Sequence, residues 1–167
     1  MPARNAPARS KLSLKATAVR LLARREYGRI ELGERLVLRG ALREEVAGVL
    51  DELEQQGYLS DERYAQALVA QKAGSFGRRA IAHALKERRV ATAAAVDALR
   101  SLDGTDELAQ ATALWQRRFG QAPRDERDKA RQVRFLMARG YSTSVALKVL
   151  RAAGTYSPAD PADADPV

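Results

Sequence analysis

The sequence contains no cysteine. That excludes disulfides, thiolate nucleophiles and cysteine-ligated zinc. It has one histidine, His83, set among Ala82, Ala84 and Leu85 with no serine or carboxylate at motif spacing. His83 therefore reads as a packed or surface side chain, not a base or a ligand. Long apolar runs are also missing, because Arg or Glu interrupts each one, so no membrane-spanning helix is expected. Residues 1–11 lack the apolar stretch of a secretory signal and read as a short basic disordered tail. There is no phosphate-binding loop: Gly74-Ser75-Phe76-Gly77 lacks the following Lys-Ser/Thr and reads as an interhelix turn. Asp125, Glu126 and Asp128 interleave with Arg124, Arg127, Lys129 and Arg131, the pattern of a salt-bridged helix start and not of a metal cluster. With no nucleophile, base or metal set, the residues point to a protein that acts by binding, is not an enzyme and needs no cofactor.

Aromatic residues make up 5% of the chain, whereas Ala, Leu and Arg are abundant, a balance that favours helices over sheets. The 46% hydrophobic and 30% charged content is that of a globular chain. The formal net charge of +8 points to an acidic partner such as nucleic acid, an anionic membrane or an acidic protein face, with a solvated surface as the plainer alternative. Arg outnumbers Lys 23 to 6. The planar guanidinium fork suits phosphate and carboxylate, although codon bias would give the same ratio. Residues 155–167, with three aspartates and no apolar stripe, read as an acidic disordered tail.

The middle reads as nine short helices. Ala18, Leu21 and Leu22 share one face of a helix over 14–26. Leu32 and Leu36 lie one turn apart in the next, and Gly40 fits the left-handed position after it. Val46, Val49, Leu50 and Leu53 mark a third over 43–56 at i, i+3, i+4, i+7. Ser60 suits the N-cap of a fourth, which holds Tyr64, Leu68 and Val69. Ile81 and Leu85 belong to a fifth, and Val96, Leu99 and Leu102 to a sixth over 91–102. Thr105 or Asp103 can cap the seventh, with Leu114 and Trp115. Pro123 suits the first turn of the eighth, and Ser142 caps the ninth.

These helices repeat. Leu36, Leu85 and Leu136 are spaced by 49 and 51 residues, as are Leu50, Leu99 and Leu150. Gly28-Arg29 and Gly77-Arg78 recur at the same period, and Arg89 stands where the first and third units place Gly40 and Gly140. Such self-similarity signals tandem three-helix units, over 12–58, 59–103 and 104–154. Units this small have marginal cores and lean on their neighbours, so an elongated, modestly stable array is expected. Basic pairs recur in all three: Arg24-Arg25, Arg78-Arg79, Arg88-Arg89 and Arg117-Arg118. Arg29 opens the second helix, and Arg127, Arg131 and Arg134 share a face of the eighth. Aligned in a stack, they would make a basic stripe able to meet a phosphate backbone. Glu44, Glu45, Asp51, Glu52 and Glu54 make the third helix acidic by contrast.

Three stretches carry a family resemblance: Ala18-Val19-Arg20-Leu21-Leu22-Ala23-Arg24-Arg25-Glu26; Gly57-Tyr58-Leu59-Ser60-Asp61-Glu62-Arg63-Tyr64-Ala65 with Gly77-Arg78-Arg79-Ala80-Ile81; and Phe135-Leu136-Met137-Ala138-Arg139-Gly140-Tyr141-Ser142. In order and spacing, over about residues 14–153, they resemble the RecX family. The resemblance implies an all-α fold of three tandem three-helix repeats in a curved rod. It also implies a regulator that binds the RecA recombinase filament on single-stranded DNA and inhibits strand exchange, ATP turnover and co-protease activity; the cytoplasmic location expected follows instead from the lack of a span and of a secretory signal. Recombination, DNA repair and the SOS response would thereby be damped. Arg89 departs from the family, many members of which have Lys-Gly before Val. The residues expected to touch nucleic acid or partner follow from the charge pattern: Arg24, Arg25, Arg29, Arg78, Arg79, Arg88, Arg117, Arg118, Arg127, Arg131 and Arg134. A monomer with weak nonspecific DNA binding of its own is expected. The alternative is a stand-alone helix-turn-helix-like DNA-binding protein, which would bind duplex tightly and sequence-specifically through a recognition helix.

Overall fold

A computed structural model describes residues 11–154, with side chains from Leu14 onward. The two tails expected from the sequence lie outside the described residues, except for Lys11, which opens the first helix. Among the described residues there are nine α-helices and no strand: α1 (Lys11–Leu22), α2 (Arg29–Val37), α3 (Arg43–Gln55), α4 (Asp61–Lys72), α5 (Arg78–Glu87), α6 (Thr92–Arg100), α7 (Glu107–Arg118), α8 (Glu126–Ala138) and α9 (Thr143–Ala152). They divide into two compact units. Unit 1 holds α1 to α3, α4 up to Gln71, the end of α5 from Ala84, and α6; unit 2 holds the start of α5 up to His83, and α7 to α9.

In unit 1, α1 packs on α2 and α3, and α2 packs on α3. The apolar stripes read from the sequence meet here: Ala18, Leu32, Leu36 and Leu53 are fully buried. The start of α4 is tied in by one carboxylate. Asp61 accepts the backbone N–H of Arg29 at 2.8 Å and of Ala91 at 3.2 Å, so a single side chain satisfies the leading amides of α2 and α6. Ser60 caps α4 as expected, its hydroxyl accepting from the N–H of Arg63.

In unit 2, α7 packs on α8 and α9, and α8 on α9. Leu114, Trp115, Leu136 and Val149 fill the core. The indole of Trp115 donates to Gln132 at 2.7 Å, and the Gln132 amide donates to Asp128 at 3.1 Å. A buried glutamine thus satisfies a buried indole and links the core to the first turn of α8. Gly77 at the start of α5 donates its N–H to the carbonyl of Arg139 at 2.7 Å. Gly140 beside it has φ +90°, and a Cβ there would lie 2.5 Å from the backbone nitrogen of Ala80.

Several local expectations are corrected. The cap of α7 is Asp106, which accepts from Ala109, because the Thr105 hydroxyl turns back to the carbonyl of Leu102. Pro123 is buried in the preceding loop and α8 starts later, capped by Asp125. The first helix ends at Leu22, four residues early, where the chain turns to bury Tyr27 under the guanidinium of Arg25. In α6 the buried positions are Ala94 and Ala98, while Val96 is 49% exposed. Ser142 caps α9 as expected.

Candidate nucleic-acid and partner interface

The expected arginines meet different fates in the two units. In unit 1, Arg25 and Arg88 converge on Glu31. Arg25 makes a two-pronged contact, at 2.5 and 3.3 Å, and stacks 3.6 Å above the ring of Tyr27. Arg88 donates to the hydroxyl of Tyr64 at 2.8 Å and lies 4.0 Å from Glu31. Burial opposes ionisation of Glu31. The Arg25 hydrogen bond and the charges of Arg25 and Arg88 outweigh it and hold the carboxyl below its ordinary range. Arg29 is not part of this cluster: it bridges Asp51 and Glu54, each at 2.6 Å, so two carboxylates of the acidic helix α3 are neutralised from inside the unit. Arg89, the residue in the glycine position, has φ +53° and pairs with Glu34. Only Arg24, past the end of α1, is exposed without a carboxylate partner among the expected residues of this unit.

Unit 2 is built differently. Arg124, Arg127, Arg131 and Arg134 line an open cleft of about 660 Å³ on one side of α8, with Phe119, Ala122 and Asp128. The i, i+4, i+7 spacing places the three α8 guanidiniums on one face, as expected. Arg131 pairs with Asp128 at 2.6 Å and lies over the ring of Phe119, as does Arg118. Desolvation works against ionisation of Asp128. It is outweighed by the N–H of Arg124 and the guanidinium of Arg131, which hold the carboxyl below its ordinary range. Arg124, Arg127 and Arg134 have no carboxylate partner among the described residues. Arg78 and Arg79 border a separate cleft with Phe76 and Asp103, where Arg78 pairs with Asp103 at 2.6 Å and Arg79 is exposed. Arg117 donates to the carbonyl of Gly74.

The charge count follows the same division. The described part of unit 1 has fourteen basic and twelve acidic residues, a net +2; that of unit 2 has thirteen and six, a net +7. The salt-bridged start expected for α8 holds for Lys129 with Glu126 and Arg131 with Asp128, but Arg124, which was read as part of it and not as a contact residue, lines the cleft without a carboxylate partner among the described residues. The signal for it was its place just before the Asp125 cap, which turns it into the cleft of α8. Sequence reasoning also missed Leu38 and Leu42, which are 86% and 66% exposed on either side of Gly40. Their sign was available: both fall off the Leu32–Leu36 stripe. No helix among the described residues is long and apolar enough to cross a membrane, and no group of His, Asp or Glu among them is arranged to hold a metal.

Comparison with known proteins agrees with this architecture. The family model for the second three-helix domain of RecX matches residues 60–99, and that for the third matches residues 105–150. The regulatory protein RecX of Leptothrix cholodnii is 43% identical over 145 residues, covering 87% of this chain and 92% of that protein. That of Ralstonia pickettii is 39% identical over 145 residues, covering 87% and 91%. The crystal structure of RecX from Lactobacillus salivarius superposes with a TM-score of 0.69 at 16% identity, over 85% of this chain and 95% of that one, which supports the fold. By its helices, its repeated units and these relatives, the chain belongs to the RecX family of regulatory proteins.

Proposed function

We propose that this protein binds the RecA recombinase filament on single-stranded DNA, in the cytoplasm and as a monomer, and inhibits its strand exchange, ATP turnover and co-protease activity. The observation that carries the reading is identity of about 40% to regulatory RecX proteins along nearly their whole length. The arginine-lined cleft of unit 2 supports it, because guanidiniums without carboxylate partners are ready to neutralise phosphates. Within the expected set, Arg127 and Arg134, joined by Arg124 and flanked by Arg118 and Arg131, form the face we assign to the DNA backbone or an acidic filament loop. Arg79 and Arg78 contribute a second contact. Arg25, Arg29 and Arg88 act mainly by holding unit 1 together, since their charges are met internally. The exposed Leu38 and Leu42 offer an apolar contact of the kind that bridges protein subunits. Bound across neighbouring protomers, the protein would favour one filament state and so lower turnover.

The test is RecA ATPase on single-stranded DNA with this protein titrated in. Inhibition at or below one protein per RecA is expected, and full activity at that ratio would refute the proposal. A gel shift on selected and random duplexes separates the helix-turn-helix alternative, which requires tight sequence-specific binding without RecA.

A further inference from the structure

The arginine cleft of unit 2 lies beside the point where the described chain ends. A Cβ built on Gly154, two residues past α9, would lie 4.0 Å from the Cβ of Ala122, and Ala122 lines the cleft with Arg124, Arg127 and Arg134. The thirteen residues after Gly154 carry Asp160, Asp163 and Asp165 and no basic residue. We propose that this acidic segment, residues 155–167, occupies the arginine cleft of its own chain and competes there with the phosphates of nucleic acid.

Reach permits it. Asp160 is six residues past Gly154, an extended span of up to about 20 Å. Arg127 and Arg134 are seven residues apart on a helix, about 10 Å. All three aspartates can therefore be set against the exposed face of α8 without moving α9. Charge favours it as well. Three carboxylates meet three guanidiniums that have no carboxylate partner among the described residues, whereas Arg131 is already engaged by Asp128. A tethered segment is present at an effective concentration in the millimolar range, so contacts too weak to hold a free peptide still fill the cleft. Such contacts are screened at high salt, like the phosphate contacts they imitate. The competition rests on the function proposed above; the contact between tail and cleft does not.

The absence of cysteine makes the direct test simple. A spin label on Ala162→Cys in the full chain should broaden the amide signals of α8 at about 0.05 M salt, and the broadening should vanish at about 0.5 M. It should also vanish when Arg124, Arg127 and Arg134 are replaced by glutamine, with helix content checked by circular dichroism. Full α8 intensity at low salt, or broadening that survives the arginine replacements, overturns the proposal. The functional arm measures fluorescence anisotropy of a labelled oligo-dT. Asp160→Asn, Asp163→Asn and Asp165→Asn together should tighten binding about threefold to tenfold at low salt, and only when the cleft arginines are intact. Unchanged affinity overturns the competition. If the chain binds no oligonucleotide at all, the function proposed above falls, and the spin-label result alone decides the tail.

Discussion

Unit 1 and unit 2 each contain a packed group of three consecutive helices, α1 to α3 and α7 to α9, yet they use arginine in opposite ways. In unit 1 the guanidiniums of Arg25, Arg29 and Arg88 are met by Glu31, Asp51 and Glu54, drawn from α2 and α3. In unit 2, Arg124, Arg127 and Arg134 stand on one side of α8 with no such partner. An Arg-Arg pair or an Arg at helical spacing therefore says little alone. Its meaning is set by carboxylates off its own helical spacing, six positions away for Glu31 from Arg25 and more than twenty for Asp51 and Glu54 from Arg29. One arginine set is paired within its unit and the other lines an open cleft without carboxylate partners among the described residues.

The largest effect that should separate the units concerns their matched glycines. Gly40 and Gly140 both have φ +90°, but a Cβ at 40 meets nothing within 4 Å, whereas one at 140 would strike Ala80. Gly40→Ala should cost only the left-handed backbone strain, about 1–2 kcal/mol. Gly140→Ala adds a clash with backbone and should cost about 2–5 kcal/mol in all. Urea melts followed by the fluorescence of Trp115, which sits in the unit 2 core, report the second. Equal losses at both positions would mean that the α8–α9 turn is not seated against α5 as described.

Next comes the arginine division. Replacing Arg124, Arg127 and Arg134 with glutamine should weaken binding to single-stranded DNA by about tenfold or more and lower its salt slope by about 2, three contacts at about 0.7 each. Thermal stability should scarcely move. Arg25→Gln, Arg29→Gln and Arg88→Gln should do the reverse, lowering Tm while leaving the salt slope intact. They would leave Glu31, Asp51 and Glu54 without their counterions, although partly exposed pairs contribute at most about 1 kcal/mol each. Anisotropy titrations across a salt series, alongside thermal melts, give both readouts. If the two triple variants behave alike, the contrast between the units is not functional.

The helices were legible in the sequence because their stripes are local. Leu32 with Leu36, and Val46 with Val49, Leu50 and Leu53, lie one turn apart and are all buried. The repeat was legible too: Leu36, Leu85 and Leu136 are each fully buried at matching places. Arg89 was legible as a glycine substitute and does take positive φ. Helix ends were harder, because caps compete over one or two residues. Thr105 and Asp106 are both good caps, and a single bond from Thr105 to Leu102 gave the role to Asp106. The sixth helix misled because alanine is itself apolar enough to face a core, so the buried face follows Ala94 and Ala98 one turn apart and leaves Val96 outside. The site was half legible. The shared face of Arg127, Arg131 and Arg134 follows from spacing, but the neutralisation of Arg29 is a long-range pairing that no periodicity reveals.

The smallest expected effect is acid sensitivity centred on Glu31. Its folded carboxyl titrates below the ordinary value, since the pull of Arg25 and Arg88 exceeds the opposing effect of burial. The stabilisation from Glu31 is therefore complete above the unfolded carboxylate value of about 4.3 and is lost as pH falls through the lower folded value. Protonation there releases Arg25 from its two-pronged contact and leaves Arg88 with the Tyr64 hydroxyl alone. Asp128 is lowered as well, by the N–H of Arg124 and by Arg131, so unit 2 has an acid-sensitive carboxyl of its own. The two can be told apart by Tm measured between about pH 6 and pH 3. Glu31→Gln should flatten that slope, because the amide keeps a hydrogen-bond acceptor for Arg25 but no longer titrates. A slope as steep as in the parent chain would move the acid-labile contact to one of the other two carboxyls held low, Glu62 beside the Ser60 hydroxyl or the Asp128 that anchors the first turn of α8 beside the arginine cleft.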